Sequence, residues 1–299
     1  MKFVNPTRMV RDAQEKGYAV PAFNTNGGSY DIARASLEAA QETGSPLILQ
    51  VYEPNCAYRG YDLFVHLARF LCDELGITVP VALHLDHGKS FGSVMRAIRA
   101  GFTGVMLDAS QEPLEQNIAM TRKVVEAAHT LDVSVEAEVG YVKGNEPSKQ
   151  KQIGRVPPPE EPTVPPTRTR VEEAVRFVDE VEVDLLAVSV GTTHGVYQKQ
   201  SQMDFELLGK LRAALPVPLV QHGTGGIPLG DLSRLVKRGM AKINFGEPFR
   251  YNYINYFYEL TDTTEHLWHP WKIMREVKER LKADMIELIK ALGSDGKAG

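Results

Sequence analysis

The sequence predicts a (β/α)8 TIM barrel, and three observations carry this prediction. Short apolar runs of strand length alternate with amphipathic stretches of helical spacing along most of the chain. Eight such strand–helix units follow one another, and they are similar in size. Eight units within roughly 250 residues are typical of such a barrel, whereas the alternative, a doubly wound open sheet, rarely has eight even units. We therefore predict that residues 1–299 form a single barrel domain.

The predicted strands are the apolar runs, each ending where polar or glycine residues begin. In chain order they are Tyr18–Phe23, Pro46–Tyr52, Val81–Asp86, Gly104–Leu107, Ser134–Val139, Asp184–Val190, Pro218–Gln221 and Ala241–Phe245. The predicted helices have apolar residues at helical spacing. They are Tyr30–Glu42, Asp62–Leu75, Ser90–Ala100, Pro113–Leu131, Val171–Glu180, Phe205–Leu215 and Leu229–Arg238.

Two later segments extend this pattern. The charged helix predicted over Arg275–Lys290 is expected on the outside of the barrel or in a subunit contact. The aromatic run Tyr251–Tyr258 has near-helical spacing, for which core packing is the default explanation and a subunit contact the alternative.

The fifth strand is followed by a long insertion from about Tyr141 to Thr169. It contains the runs Pro157–Pro162 and Pro165–Pro166, and prolines at this density exclude a helix or a central strand. Barrel enzymes carry their lids at the C-terminal ends of strands, so we predict a Pro-rich lid loop here. A passive surface loop is the alternative, although loops of this length are usually functional.

Composition narrows the class of function. The net charge is −4, the charged fraction 24% and the hydrophobic fraction 43%, which argue against a nucleic-acid or membrane-surface partner. No apolar run reaches the length of a membrane span, and the N-terminus lacks the apolar core of a signal peptide. Cys56 and Cys72 have neither metal-type spacing nor a disulfide framework. We expect a cytoplasmic protein.

Polar side chains collect at the predicted strand ends, which meet at one mouth of a barrel. Strand three ends in Asp86-His87, strand six in a segment with His194, and strand seven in one with His222. Each histidine alone is more often structural. Three neutral imidazoles with an open fourth position, however, form a typical catalytic zinc shell, and a carboxylate beside them is a candidate proton carrier. His84 shares a face with Asp86, and we interpret it as a core residue or a support for the site.

Glycines follow two of these histidines. Gly195 and the run Gly223–Gly226 allow backbone N–H groups to approach an anion closely. Loops after the last two strands of a barrel often bind phosphate, although a short glycine cluster alone can also be a plain turn.

The chain resembles the class II, zinc-dependent ketose-bisphosphate aldolases, of the fructose-bisphosphate and tagatose-bisphosphate type, over nearly its whole length. The motifs that carry the resemblance are Tyr18-Ala-Val-Pro-Ala-Phe-Asn24, Leu83-His-Leu-Asp-His-Gly88, Val105-Met-Leu-Asp108, Glu136-Ala-Glu-Val-Gly140, Val190-Gly-Thr-Thr-His-Gly195, His222-Gly223, Lys242-Ile-Asn244 and Leu292-Gly-Ser-Asp-Gly-Lys297. The resemblance implies reversible retro-aldol cleavage of a ketose phosphate into a dihydroxyacetone phosphate unit and an aldehyde. It also implies a homodimer or homotetramer.

The resemblance assigns roles residue by residue. His87, His194 and His222 would bind catalytic Zn²⁺, and Asp108 and Glu138 would hold a second or alternative metal position. Asp86 would exchange a proton at the hydroxyl where the bond breaks, and Glu146 in the lid would exchange one at the α-carbon. The implied substrate-binding residues are Asn24, Tyr52, Gly195, Gly223, Thr224, Gly225, Asn244 and Glu247. A monovalent cation is a further expected cofactor, and Lys242 is not expected to form a Schiff base.

Three departures from the family pattern concern phosphate binding. Tyr52 and Gly225 replace serines, and Glu247 replaces a threonine in Asn244-Phe-Gly-Glu247. A glutamate beside a phosphate dianion is repulsive by a few kcal/mol at an effective dielectric constant of about 20. We therefore hypothesise a substrate other than the usual bisphosphate, with Glu247 accepting hydrogen bonds from sugar hydroxyls or pairing with an amine. A zinc isomerase or epimerase, and a non-catalytic sugar-binding relative, are the alternatives.

Overall fold

A closed barrel of eight parallel strands in sequential order forms the centre of the molecule, as predicted. The computed structural model describes residues 2–27, 29–144, 160–162, 165–199, 202–263 and 269–299. The strands are β1 (Val20–Asn24), β2 (Leu47–Tyr52), β3 (Val81–Gly88), β4 (Gly104–Leu107), β5 (Ser134–Val139), β6 (Leu185–Val188), β7 (Leu219–Gln221) and β8 (Met240–Phe245). Each predicted strand overlaps one of these. The structure extends β3 by two residues, to Gly88.

The helices surround the barrel, and every predicted one is present. They are α1 (Pro6–Lys16), α2 (Tyr30–Thr43), α3 (Glu53–Arg59), α4 (Tyr61–Glu74), α5 (Phe91–Ala100), α6 (Leu114–His129), α7 (Val171–Glu180), α8 (Phe205–Ala214), α9 (Leu229–Lys237), α10 (Glu247–Thr263) and α11 (Pro270–Ala291). The sequence analysis did not identify α1 or α3. Among the described residues, each helix is too short or too polar to cross a bilayer.

Helix α1 closes the N-terminal end of the barrel. Asn5 caps it by accepting a hydrogen bond from the N–H of Thr7 at 2.9 Å, and Pro6 occupies the first turn, where no N–H is needed. Its apolar face belongs to the same buried cluster as inward-facing strand residues. Helix α1 contributes Met9, Val10 and Ala13 to this cluster. The strands contribute Val20, Ala22, Ile48, Ala82, Leu185, Ala187, Val220 and Ala241. The C-terminal end is therefore the open mouth.

Polar residues replace apolar ones in the barrel interior above this cluster. The Lys242 ammonium lies 2.7 Å from Glu136 Oε2, and both side chains are fully buried. Burial lowers the pKa of the nearby His84 to about 3, helped by the Lys242 charge, so this imidazole is neutral. Its ring is accommodated because Gly104 lacks a Cβ, which would lie 2.7 Å from His84 Nδ1. The interpretation of His84 as a core residue agrees with its complete burial.

The two C-terminal helices lie outside the barrel. Helix α11 packs against α2 and α10, which confirms an outer position for the predicted charged helix. In the aromatic run of α10, Tyr253, Tyr256 and Phe257 pack against the core. The Tyr256 hydroxyl also donates to Asp284 on α11 at 2.9 Å. Core packing therefore accounts for these aromatic residues.

Lys242→Met should lower the free energy of unfolding by about 3–5 kcal/mol, because it leaves the Glu136 carboxylate buried without its cation. Urea denaturation of the protein in excess chelator would measure this without a metal contribution. Lys210→Met, which removes an exposed lysine paired with Glu206, is the control and should leave the midpoint unchanged. Equal midpoints for the two variants would contradict the stabilising role of the buried pair.

Candidate metal centre and active site

A polar cleft of about 330 Å³ opens at the C-terminal mouth of the barrel. It brings together most of the site residues predicted from the sequence. Those that line it are Asn24, Tyr52, Asp86, His87, Asp108, His194, Gly195, His222, Gly223, Asn244 and Glu247. Thr224 and Gly225 are not among the residues that line the cleft, but they contact residues that do. The Thr224 hydroxyl donates to the Asn244 carbonyl at 2.7 Å, and Gly225 packs against the backbone of Gly195. Glu146 is outside the described residues.

The three predicted histidines converge in the cleft. One nitrogen of each ring lies within 4.8 Å of the others, and His87 Nε2 and His222 Nδ1 are 3.0 Å apart. His87 reaches this position because its backbone is left-handed, with φ of 51°, at an irregularity in the β3–β4 pairing between Leu85 and Gly88. This turn of the chain allows two consecutive residues, Asp86 and His87, to face the same cleft. Such backbone conformations in non-glycine residues are concentrated at functional sites.

Each imidazole contacts a carboxylate through its outer nitrogen. His87 Nδ1 is 2.8 Å from Asp108 Oδ2, His222 Nε2 is 2.9 Å from Glu136 Oε1, and His194 Nδ1 is 2.9 Å from Glu247 Oε1. A carboxylate behind a histidine fixes the tautomer and the ring orientation, and this arrangement is usual around metal ligands. The inner nitrogens of all three rings therefore remain available to one ion.

The cleft has the electrostatics of a cation site. Burial lowers the pKa of His87, but Asp86 and Asp108 more than compensate and raise it to about 10. The potential here is thus strongly negative. Within the described part of the chain, His194 Nε2 and Glu138 Oε2 are buried without a hydrogen-bond partner. Unpartnered buried nitrogen and oxygen atoms beside two facing imidazoles fit a divalent cation, since such groups need a ligand when water is excluded.

Asp108 and Glu138 form a second candidate group with His87. The Asp108 Oδ2 atom already has two hydrogen-bond donors. It accepts from His87 Nδ1 at 2.8 Å and from the Lys89 ammonium at 2.5 Å. Burial raises the pKa of Asp108, but His87 and Lys89 hold it well below its ordinary value. Glu138 Oε1 accepts from the N–H of Val142 at 2.7 Å, and burial together with Asp108 raises the pKa of Glu138. Of the two, Glu138 has the free oxygen for a metal.

Two amides hold the Asp86 carboxylate in place. Asn24 Nδ2 donates to Asp86 Oδ2 at 3.1 Å, and Asn244 Nδ2 donates to Oδ1 at 3.2 Å. Asp86 is 7% exposed, and Oδ1 lies 3.9 Å from His87 Nε2. This carboxylate is therefore oriented toward the place where a substrate oxygen near the three imidazoles would lie.

The structure adds cleft residues that sequence reasoning missed. They are Asn26, Gln50, Asn55, Lys89, Gln111, Tyr141, Val142, Gly144, Gly246 and Arg250. Lys89 and Arg250 bring positive charge to an otherwise acidic cleft. Lys89 follows Gly88 directly, and Arg250 lies one helical turn after Glu247, so proximity to the motifs was the available signal. Neither residue belongs to a pattern that requires a cation at its position.

Fold and site together are those of a TIM barrel with a candidate metal centre at its C-terminal mouth. The family model "Fructose-bisphosphate aldolase class-II" matches residues 4–297. The chain is 36% identical to a probable fructose-bisphosphate aldolase of Bacillus subtilis over the full length of both, and 36% identical to the fructose-bisphosphate aldolase of Geobacillus stearothermophilus, covering 100% of this chain and 99% of that one. The crystal structure of the YdjI aldolase of Escherichia coli K12 matches with a TM-score of 0.83 and 30% identity, with full coverage of both chains.

The chain belongs to the class II fructose-bisphosphate aldolase family. It is a class II aldolase, an enzyme that cleaves and forms a carbon–carbon bond in sugar phosphates. The family uses a divalent metal ion, and the residues in the cleft fit one.

Zn²⁺ should stabilise the metal-free protein against thermal unfolding, by about 4 kcal/mol when free Zn²⁺ is a thousand times its dissociation constant. His222→Ala should abolish this stabilisation. His129→Ala is the matched control, because His129 pairs with Asp184 away from the cleft. Differential scanning calorimetry with and without Zn²⁺ measures both. A zinc-dependent shift that survives in His222→Ala would place the metal elsewhere.

Proposed function

We propose that this enzyme is a zinc-dependent aldolase that reversibly cleaves a ketose phosphate into a dihydroxyacetone phosphate unit and an aldehyde. The observation that carries the proposal is the convergence of three imidazole nitrogens beside the oriented carboxylate of Asp86. An isomerase or epimerase with the same site is disfavoured by the family, and a pure sugar-binding protein would have no use for an oriented proton carrier.

We assign the metal to His87, His194 and His222, with the free oxygen of Glu138 as a neighbouring donor. Three histidine nitrogens and an open position are the usual donor set of catalytic zinc. When bound, the ion supplies Lewis acidity that stabilises negative charge on the substrate oxygens as the bond breaks. Lys242 is buried in its pair with Glu136, which supports a mechanism without a Schiff base.

The protein's own groups move the protons. In cleavage, Asp86 accepts the proton of the hydroxyl on the carbon that becomes the aldehyde, and the electrons of the broken bond remain on the three-carbon half. Asn24 and Asn244 hold Asp86 for this transfer. Glu146 is assigned the return of a proton to the α-carbon of that half, a role that rests on the family pattern. In condensation, the two residues act in reverse.

The charges of the cleft bear on how many phosphate groups the substrate carries. Gly195, Gly223 and Glu247 line the same cleft. Burial raises the pKa of Glu247, but the hydrogen bond and charge of His194 lower it to about 2, so this carboxylate is ionised. It would repel a phosphate dianion there, although Arg250 in the same cleft offsets part of the repulsion. The named relatives favour fructose 1,6-bisphosphate, whereas Tyr52, Gly225 and Glu247 favour a ketose with fewer phosphates.

Further parts of the proposal concern the setting of the enzyme. We propose a homodimer or homotetramer, supported by the exposed side chains of Ile254 and Trp271 on the two C-terminal helices. A cytoplasmic location and a monovalent cation beside the substrate complete the proposal. The composition of the chain supports the cytoplasmic location, and the family resemblance supports the monovalent cation.

Purified enzyme loaded with Zn²⁺ should release triose phosphate from fructose 1,6-bisphosphate or from a singly phosphorylated ketose, and excess chelator should abolish the release. Asp86→Asn should lower kcat by about 10²–10⁴-fold with unchanged zinc content, because the amide cannot accept the proton. Asp12→Asn, on the exposed face of α1, is the control and should retain activity. Full activity of Asp86→Asn, or cleavage that resists the chelator, would refute the proposed mechanism.

Glu247→Thr should raise kcat/KM for fructose 1,6-bisphosphate relative to a singly phosphorylated ketose by roughly tenfold or more, since it removes a repulsion of a few kcal/mol. The ratio of the two substrates, measured at saturating Zn²⁺, cancels any effect on metal loading. An unchanged ratio would show that Glu247 does not influence selection for phosphate.

A further inference from the structure

We propose that Glu247 is a positioning residue for the metal centre, which holds the His194 imidazole so that Nε2 faces the ion. The inference rests on the proposed metal role of His194 and assigns to Glu247 a function other than contact with substrate. It replaces the earlier expectation that this glutamate accepts hydrogen bonds from sugar hydroxyls or pairs with an amine.

The contact itself has the required geometry. Glu247 Oε1 lies 2.9 Å from His194 Nδ1, and on the other side of the same ring Nε2 is buried without a partner among the described residues. A carboxylate accepts hydrogen bonds only, so His194 must carry its proton on Nδ1. The lone pair of Nε2 is then directed into the cleft, toward the inner nitrogens of His87 and His222.

The backbone of His194 is fixed, which leaves only the ring to be oriented. Its N–H donates to the Lys143 carbonyl at 2.8 Å, and its own carbonyl accepts from the Tyr197 hydroxyl at 2.9 Å. The His194 side chain is 23% exposed, compared with 12% for His87 and 0% for His222. Packing therefore constrains this ring least, and a hydrogen bond has the most to contribute here.

Glu247 is itself on a rigid support. It occupies the first turn of α10, where the N-terminal end of the helix favours a negative charge. Two residues later, the buried Phe249 ring packs edge-to-face on Phe23 of β1, with centroids 5.1 Å apart. Phe245 of β8 packs on the same ring of Phe23, at 5.9 Å. The carboxylate position is thus determined by the barrel wall rather than by the metal.

Each of the three histidines has a carboxylate partner at its outer nitrogen, and the three carboxylates come from different parts of the fold. Asp108 directly follows β4 and Glu136 lies within β5, whereas Glu247 comes from the helix that follows β8. Removal of such a partner typically weakens metal binding by 10–100-fold. We therefore expect Glu247 to set the affinity of the site for Zn²⁺ without contacting the ion.

The test is the dissociation constant for Zn²⁺, measured by competition with a chromophoric chelator and in the absence of any substrate. Glu247→Ala should weaken binding by about 10–100-fold. Glu247→Gln should retain most of the affinity, since its amide oxygen still accepts from Nδ1. The control is Glu259→Gln, which removes an exposed carboxylate from the same helix and should bind Zn²⁺ like the parent.

Absorption of the Co²⁺-loaded variants gives a second readout, because a reoriented His194 changes the ligand geometry and hence the spectrum. Zinc affinity of Glu247→Ala within twofold of the parent would overturn the proposal. If that variant does not fold, Glu247→Gln decides: loss of Co²⁺ and Zn²⁺ binding in a folded, isosteric variant would contradict positioning by hydrogen bonding. Because no substrate is present, failure here is distinct from failure of the proposed aldolase activity, which is measured as triose phosphate release by the parent.

Discussion

Closure of the barrel between β1 and β8 is the constraint on which the rest of the site depends. The two strands are far apart in the chain, and their pairing sets Ala22 opposite Asn244. Only this pairing allows Asn24 and Asn244 to hold the two oxygens of Asp86 at once. It also brings the start of α10, and with it Glu247, to the histidines that follow β6 and β7.

Closure also concentrates charge in a small volume, and that charge explains much of the chemistry. Carboxylates stand behind all three imidazoles, and the nearby Asp86 and Glu138 add further negative charge. The Lys242 ammonium pairs with Glu136 in the interior, and the Lys89 ammonium pairs with Asp108. The resulting negative potential favours a divalent cation and raises the pKa of His87. Binding of the ion is therefore coupled to stability, because it compensates charges that the fold has removed from water.

The two ends of the barrel have different tasks. The lower end is apolar and sealed by α1, which allows the strand ends above it to carry polar and strained groups. The left-handed backbone of His87 is an example, because such an unfavourable conformation persists only where the surrounding packing holds the backbone in place. A relative at 36% identity over the full length of both chains differs at most positions, so this frame tolerates extensive sequence change.

The sequence by itself determined the eight strand–helix units and the three histidines, because periodicity and strand-end polarity are local and survive without the fold. It did not reveal α1, a helix that becomes necessary only once the barrel has an end to seal. It also left Glu247 without a partner. That residue could be read only as a charge near phosphate until the tertiary structure placed it 2.9 Å from His194. Contacts between side chains from distant elements depend on barrel closure and helix packing, which no local pattern encodes.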